Sequence, residues 1–244
     1  MDKRQIEDFD NVIRCLNNNP LGISYIIQDH DFLTMLHTLY FPYLKPCQKR
    51  PDAYATSDDT LLLLEHFEFD SSKPTNKGSV QHQISAQTDR KIEEILSKDN
   101  YAVVAETVTK SGKNYVDNFI KQFNNHYSRI SGYISDMQTE LSAHYSNTVV
   151  GFVIEDSTPL GSLYFDGEMK CVDLTFSKEF LDLFEKSQDL DFVIFAMTRN
   201  DNNKLLSFIS KSTIEEHRKK QIEVSNIDEI QFKNSFCASG FVEL

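Results

Sequence analysis

Two carboxylates in this sequence have the spacing and the surroundings of a catalytic or cation-binding pair. Asp52 follows Pro51, and Glu65 follows four consecutive leucines in the run TLLLLEHFEFD, 60–70. An apolar run bounded by polar turn residues such as 57–59 is typical of a strand buried on both faces. A carboxylate there must be paired, protonated or bound to a cation, because an isolated buried charge costs several kcal/mol.

The two acids are expected to meet. Side chains alternate between the faces of a strand, so Glu65 and His66 point to opposite faces, each shared with leucines. If residues 52–55 form a strand that turns and pairs back against 60–69, Asp52 comes close to Glu65. Two carboxylates at that separation repel each other unless a cation lies between them. Ligation by oxygen alone suits Mg²⁺ or Mn²⁺.

The motif Pro51-Asp52, twelve intervening residues and Glu65-x-Phe67 resembles that of the PD-(D/E)XK nuclease superfamily. In that family an Asp and a Glu on neighbouring strands hold a divalent metal, and a Lys two residues after the Glu positions or activates the attacking water. The resemblance implies a restriction-endonuclease-like core and hydrolysis of DNA or RNA phosphodiesters. The wider segment 65–79 also resembles bacterial proteins of similar length.

The resemblance assigns a role to each candidate residue. Asp52, Glu65 and the main-chain carbonyl of His66 hold Mg²⁺ or Mn²⁺, which lowers the pKa of a bound water and stabilises charge on the phosphate. An aromatic residue stands where the family has its Lys, so Lys77, with Lys73 as second choice, takes that role. The imidazole of His66 is assigned to proton transfer. The alternative is a catalytically inactive nuclease fold that serves as a binding or regulatory module.

Other acids form secondary candidate sites. His66, Glu68 and Asp70 share one strand face, but neighbours at this spacing lie about 6.5–7 Å apart, too far to share one ion unless the strand bends. Glu155 and Asp156 end a predicted strand, and either join one of these clusters or begin a turn.

Composition indicates a globular protein without broad affinity for polyanions. The chain has 244 residues and a formal net charge of -12 at pH 7, which argues against general electrostatic attraction to DNA or RNA. An acidic metal site with local phosphate contacts is still compatible with that charge, so nucleic acid is a candidate partner. Basic residues flank the motif and suit either a nucleic-acid groove or solvated loops. They are Lys45, Lys49, Arg50, Lys73, Lys77, Arg90 and Lys91.

The cysteines and the hydropathy of the chain indicate the cellular compartment in which the protein is expected. Cys15, Cys47, Cys171 and Cys237 are far apart, with no CxxC and no Cys/His spacing typical of zinc. This pattern favours unpaired thiols in a reducing cytoplasm. No apolar run approaches about 18 residues and no basic-then-apolar start is present, so neither a transmembrane helix nor a signal peptide is predicted.

The patterning predicts one α/β domain over residues 1–244, with a subdivision near 147 as the alternative. Its mixed central sheet is flanked by helices on both faces, with further helical and β-rich additions. Predicted sheet segments are 52–69, 148–155, 191–197 and 204–209, and predicted helices are 3–16, 29–41, 79–98, 115–145, 176–186 and 213–221.

Several details of these elements are also predicted. Gly132 bends or divides the longest helix, and Leu39 faces inward on the second. A hairpin turns at 166–167, and residues 101–108 form a strand or a helix end. On the first helix, Glu7 either adds an acid to the metal site, as in some nuclease-like folds, or is a surface charge.

Overall fold

The protein consists of a mixed sheet, a second smaller sheet and the helices that pack against them. In the computed structural model, the described residues are 3–17, 29–69, 80–99, 101–156, 162–165, 168–171, 174–198, 204–228 and 230–239. The α-helices of this part are α1 (Lys3–Asn17), α2 (His30–Met35), α3 (Val80–Leu96), α4 (Gly112–Tyr127), α5 (Ile130–Glu140), α6 (Lys178–Lys186) and α7 (Ile214–Arg218). The strands are β1 (Lys45–Pro46), β2 (Ala53–Ser57), β3 (Thr60–Phe69), β4 (Tyr101–Lys110), β5 (Asn147–Asp156), β6 (Ser162–Phe165), β7 (Glu168–Cys171), β8 (Phe192–Thr198), β9 (Lys204–Ser210) and β10 (Ile230–Ser239).

The larger sheet has the order β1-β2-β3-β5-β8-β9. Strands β1, β2 and β3 form an antiparallel meander, β3, β5 and β8 run parallel, and β9 returns antiparallel at the edge. The predicted mixed α/β sheet is therefore confirmed. Five of its six strands coincide with the four predicted segments, whereas β1 lies outside them. The more specific restriction-endonuclease-like core remains a prediction.

Strand β3 lies in the middle of this sheet and is buried on both faces. Leu61 and Leu63 pack into a core with α4, α5 and α6, whereas Leu62 and Leu64 pack into a second core with α1 and α2. All four leucines have no exposed surface. The helices thus cover both faces, as the alternation of side chains predicts.

A two-residue turn connects β2 to β3. Asp58 and Asp59 form it, and Asp58 adopts a positive φ of 50°. Short turns between antiparallel strands need such a left-handed residue, and Asp tolerates it better than most side chains. The turn fixes the register in which Ser57 opposes Thr60 and Ala53 opposes Leu64.

The four-stranded sheet has the order β4-β10-β6-β7, and all its pairings are antiparallel. Residues 101–108 are therefore strand rather than helix end, and the hairpin around 166–167 is confirmed by the pairing of β6 with β7. Residues 230–239, for which no element is predicted, form β10, which pairs with β4 over ten residues. Its partner lies more than a hundred positions earlier, so local patterning does not reveal this pairing.

Two details of the helices differ from the predictions. The long helix divides between α4 and α5 at Ser128 and Arg129 rather than at Gly132, because both residues bond back to the last turn of α4. After α2 the chain continues as a π-helical turn, Leu36–Tyr40. A π turn is wider than an α turn, so Leu36 and Tyr40 face inward while Leu39 is 43% exposed.

Candidate functional site

Asp52 and Glu65 converge on the face of the sheet that α4 and α5 cover. Asp52 directly precedes β2, and the register of β2 against β3 places it beside Glu65. Both residues are buried, with 4% and 1% of their surface exposed. The structure thus brings together the two acids that the sequence predicts to meet.

Arg50 provides a positive charge between the two carboxylates. Its Nη1 atom lies 3.1 Å from Asp52 Oδ1 and 2.8 Å from Glu65 Oε1. The sequence places Arg50 only among the basic residues flanking the motif. The guanidinium instead contacts both acids, while 30% of its side chain remains exposed. It is therefore an internal counter-ion that solvent can still reach.

Glu65 has one crowded oxygen and one oxygen without a partner. Its Oε1 lies 2.8 Å from Nδ1 of His126 and accepts a hydrogen bond from the Tyr133 hydroxyl at 3.2 Å, in addition to Arg50. Its Oε2 is buried, and nothing in the described part of the chain donates a hydrogen bond to it. Buried polar atoms are nearly always paired, so Oε2 is an acceptor open to a hydrogen-bond donor or a cation.

Asp52 is linked to the backbone of the next strand residue. Its Oδ2 accepts a hydrogen bond of 2.7 Å from the main-chain N–H of His66. The N–H and C=O of one strand residue point to the same side, so the carbonyl of His66 is directed toward the same edge as Asp52. The carbonyl of His66 and the carboxylate of Asp52 thus lie on the same side of β3.

The electrostatics of the pair favour an additional cation. Burial, followed by the charge of Glu65, raises the pKa of Asp52 to about 8, although the His66 N–H and the Arg50 guanidinium act in the opposite direction. Burial and Glu65 also raise the pKa of Tyr133. One guanidinium therefore does not fully compensate the two buried carboxylates.

Phe67, two residues after Glu65, packs against the ring of His126. Phe67 stacks on His126, with ring centroids 4.3 Å apart and an interplanar angle of 12°. Because Nδ1 of His126 contacts Glu65, the imidazole is fixed by both contacts beside the carboxylate pair. A histidine from α4 thus lies beside the carboxylate pair.

The imidazole of His66 lies on the opposite face, in a second cluster. Its Nε2 is 3.2 Å from Glu155 Oε2. The same oxygen is 2.8 Å from Arg14 Nη2 and 3.6 Å from the thiol of Cys15. Glu155 therefore joins His66 rather than beginning a turn. Only the main chain of His66 belongs to the Asp52 site.

The remaining predicted residues lie apart from both clusters or outside the described residues. Glu68 and Glu7 are exposed, and Asp156 accepts a hydrogen bond of 2.8 Å from the Tyr115 hydroxyl. Asp70, Lys73 and Lys77 lie outside the described residues, so the roles of the two lysines remain predictions.

Four residues that contact these acids were not assigned to a site from the sequence. Arg50 is adjacent to the motif, and its proximity to Asp52 is the one signal that sequence reasoning had. Tyr133 has the helical spacing of a core aromatic, and His126 lies on a helix without a partner at ligand spacing. Cys15 approaches Glu155 only because α1 packs on the sheet.

No helix in the described ranges combines the length and the hydropathy that a membrane span requires. The chain matches no protein-family model, no curated protein and no solved structure.

Proposed function

We propose that this protein is a divalent-cation-dependent phosphodiesterase of the nuclease type. One observation carries the proposal: Asp52 and Glu65 converge from adjacent strands, and Glu65 keeps a buried oxygen, Oε2, without a partner among the described residues. The raised pKa of Asp52 supports it, because it indicates that burial and Glu65 disfavour a second negative charge in this pair even with Arg50 present.

The residues present fit a hard divalent cation. Asp52, Glu65 and the main-chain carbonyl of His66 would hold Mg²⁺ or Mn²⁺, both of which prefer oxygen ligands. When bound, such an ion generates a nucleophilic hydroxide and stabilises negative charge on the phosphate. The fit rests on the unpartnered oxygen of Glu65 and on the chemistry of the three donors.

Arg50 acts as the counter-ion of the pair before substrate binds. Its guanidinium is partly exposed and presents planar donors that match a phosphate group. In the proposed reaction, Arg50 leaves the carboxylates and binds phosphate oxygens of the nucleic acid. A chain with a net charge of -12 needs such local positive charge to hold a polyanion.

His126 is the proposed proton acceptor in place of the family's Lys. Phe67 holds its ring from one side and Glu65 contacts Nδ1, so the imidazole has a fixed orientation beside the pair. The ring nitrogen of a neutral imidazole that carries no hydrogen can accept a proton from the attacking water. The lysines at 73 and 77 are retained as alternative donors of positive charge to the substrate.

A second candidate function is a nucleic-acid-binding or regulatory module without catalysis. The contact of Arg50 with both carboxylates favours it, because a permanent guanidinium replaces the metal outright. The aromatic residue at the Lys position supports the same alternative.

A cleavage assay with the full chain tests the proposal. We expect cleavage of plasmid DNA, single-stranded DNA or RNA with Mg²⁺ or Mn²⁺, and none in EDTA. Asp52→Asn and Glu65→Gln preserve side-chain shape but remove a ligand charge worth several kcal/mol in the transition state. At about 1.4 kcal/mol for each factor of ten, each should slow cleavage at least about 100-fold.

Asp117→Asn is the matched control, because Asp117 is an exposed acid paired with Lys113 on α4. It should cleave at the wild-type rate. Cleavage that survives both site substitutions contradicts the proposal. Binding of the same substrates without cleavage, and without any response to divalent cations, identifies the non-catalytic module instead.

A further inference from the structure

The second buried cluster brings together three side chains that have different metal-binding chemistry from the oxygen site. Cys15 comes from α1, His66 from β3 and Glu155 from β5, and one potential ligand atom of each lies within 4.8 Å of the others. All three residues are buried, with 0%, 9% and 6% of their surface exposed. The imidazole uses the face of β3 opposite to Glu65, so the two clusters are distinct.

We propose that Cys15, His66 and Glu155 form a binding site for Zn²⁺ or a similar borderline transition-metal ion. Thiolate, imidazole and carboxylate together are ligands that zinc accepts and Mg²⁺ does not. Three protein ligands with one further position is the composition of open zinc sites, whereas closed structural sites have four protein ligands. The inference goes beyond the proposed phosphodiesterase activity and does not depend on it.

Two of the three separations between the donor atoms agree with tetrahedral coordination. Zinc lies about 2.3 Å from sulfur and about 2.0–2.2 Å from nitrogen or oxygen. A tetrahedral angle then requires about 3.6 Å between sulfur and oxygen and about 3.4 Å between nitrogen and oxygen. The observed separations are 3.6 Å for Cys15 Sγ to Glu155 Oε2 and 3.2 Å for His66 Nε2 to the same oxygen. These two separations therefore need little adjustment when an ion binds.

Arg14 holds the position of the positive charge when no metal is bound. Its guanidinium contacts both oxygens of Glu155, at 3.1 Å and 2.8 Å. The Arg14 side chain is 44% exposed, whereas that of Glu155 is 8% exposed, so the guanidinium can move into solvent while the carboxylate stays. Zinc binding then exchanges one cation for another at Glu155, and the thiol of Cys15 releases its proton to solvent.

Cobalt is a spectroscopic probe for this site. Co²⁺ added to the full, metal-free protein should give a near-ultraviolet thiolate-to-metal charge-transfer band, and Zn²⁺ should abolish the band by competition. Mg²⁺ at the same concentration should leave it unchanged. Cys15→Ser should eliminate the band. Glu155→Gln should weaken Zn²⁺ binding by roughly 100-fold, because loss of a residue that only supports a metal ligand already lowers the affinity by about 10–100-fold.

Two further variants keep the proposal falsifiable if a ligand substitution impairs folding. Cys47→Ser is the matched control, because Cys47 is also buried and burial together with Glu140 raises the pKa of its thiol. This variant should retain the band. Arg14→Gln removes the competing cation and should bind Zn²⁺ at least about tenfold more tightly, with a proportional shift in the competition curve.

The absence of a thiolate band in the wild-type protein overturns the proposal. The cluster is then an ion pair of Arg14 and Glu155, with the thiol of Cys15 and the imidazole of His66 bonded to the same carboxylate. A band that persists in Cys15→Ser but disappears in Cys47→Ser overturns it equally, because the metal then binds elsewhere. Weaker Zn²⁺ binding in Arg14→Gln also contradicts the proposed exchange.

Discussion

Replacement of Arg50 by Gln is the most direct test of its role as the counter-ion of the carboxylate pair. The substitution removes the guanidinium that contacts Asp52 and Glu65 and retains a polar end on a shorter stem. The two acids then remain buried without their positive partner. We expect the variant to be less stable than the wild type in EDTA and to respond more strongly to divalent cations.

The size of the loss follows from burial. Removing one partner of a buried ion pair costs about 3–5 kcal/mol. Because 30% of the Arg50 side chain is exposed, water already compensates part of the charge, and we expect the lower end, about 3 kcal/mol. For a chain of this length, each kcal/mol lowers Tm by about 2–4 °C. The predicted decrease in EDTA is therefore about 6–12 °C at pH 8.

A bound cation should restore most of this stability. A ligand at a hundred times its Kd stabilises the folded state by about 2.7 kcal/mol, which is close to the predicted loss. In the wild type Arg50 competes for the same carboxylates, so Mn²⁺ should raise Tm by a smaller amount at equal concentration. Differential scanning calorimetry with EDTA, Mg²⁺ and Mn²⁺ measures each shift.

The controls separate a specific site from a general effect of charge. Arg129→Gln removes an exposed arginine whose guanidinium bonds to Asn125, and it should leave both Tm and the metal response unchanged. Combining Arg50→Gln with Glu65→Gln should abolish the metal response. If Arg50→Gln shows the same metal-induced shift as the wild type, the reasoning about the carboxylate pair is refuted.

Three other predictions concern pH, the proposed proton acceptor and packing. The pKa of Asp52 is about 8 in the folded protein, whereas its ordinary value is 3.8. Between pH 3.8 and about 8 the folded state therefore binds one proton more than the unfolded state. The free energy of unfolding should fall as pH rises through this range, by up to about 1.4 kcal/mol per pH unit. Asp52→Asn should flatten this slope in urea titrations at pH 5 and 8. His126→Gln should lower kcat of cleavage by about 10²-fold or more, because it removes the proposed proton acceptor. Gly112→Ala should destabilise the fold by about 1–3 kcal/mol, because the added Cβ would lie 1.9 Å from the carbonyl oxygen of Val224. In Gly132→Ala the added Cβ meets nothing within 4 Å, so this variant should stabilise α5 by up to about 1 kcal/mol.

Each of these predictions has a contrary result. A slope that is unchanged in Asp52→Asn assigns the pH dependence to another group. A wild-type cleavage rate in His126→Gln removes this residue from proton transfer and returns that role to the lysines. Equal stabilities of the two glycine variants in urea titrations contradict the close approach at Gly112.

The sequence was informative where neighbouring residues decide the structure. The leucine run predicted a strand buried on both faces, and β3 has that burial. The hairpin of β2 and β3 closes over a two-residue turn, so the meeting of Asp52 and Glu65 depends only on local pairing. The sequence was less informative about β10 and the π turn after α2, because a distant strand decides the first and a widened helical turn decides the second.

The sequence by itself thus determined the central strand, the faces of its side chains and the convergence of one carboxylate pair. Only the tertiary structure decided which groups surround that pair. His126 and Tyr133 reach Glu65 from 61 and 68 positions away, and Cys15 reaches Glu155 across 140 positions. Hydrogen-bonded strands fix local register from the chain itself, whereas the packing of helices against a sheet is fixed by the shape of the whole core. No spacing in the sequence records a contact made in this way.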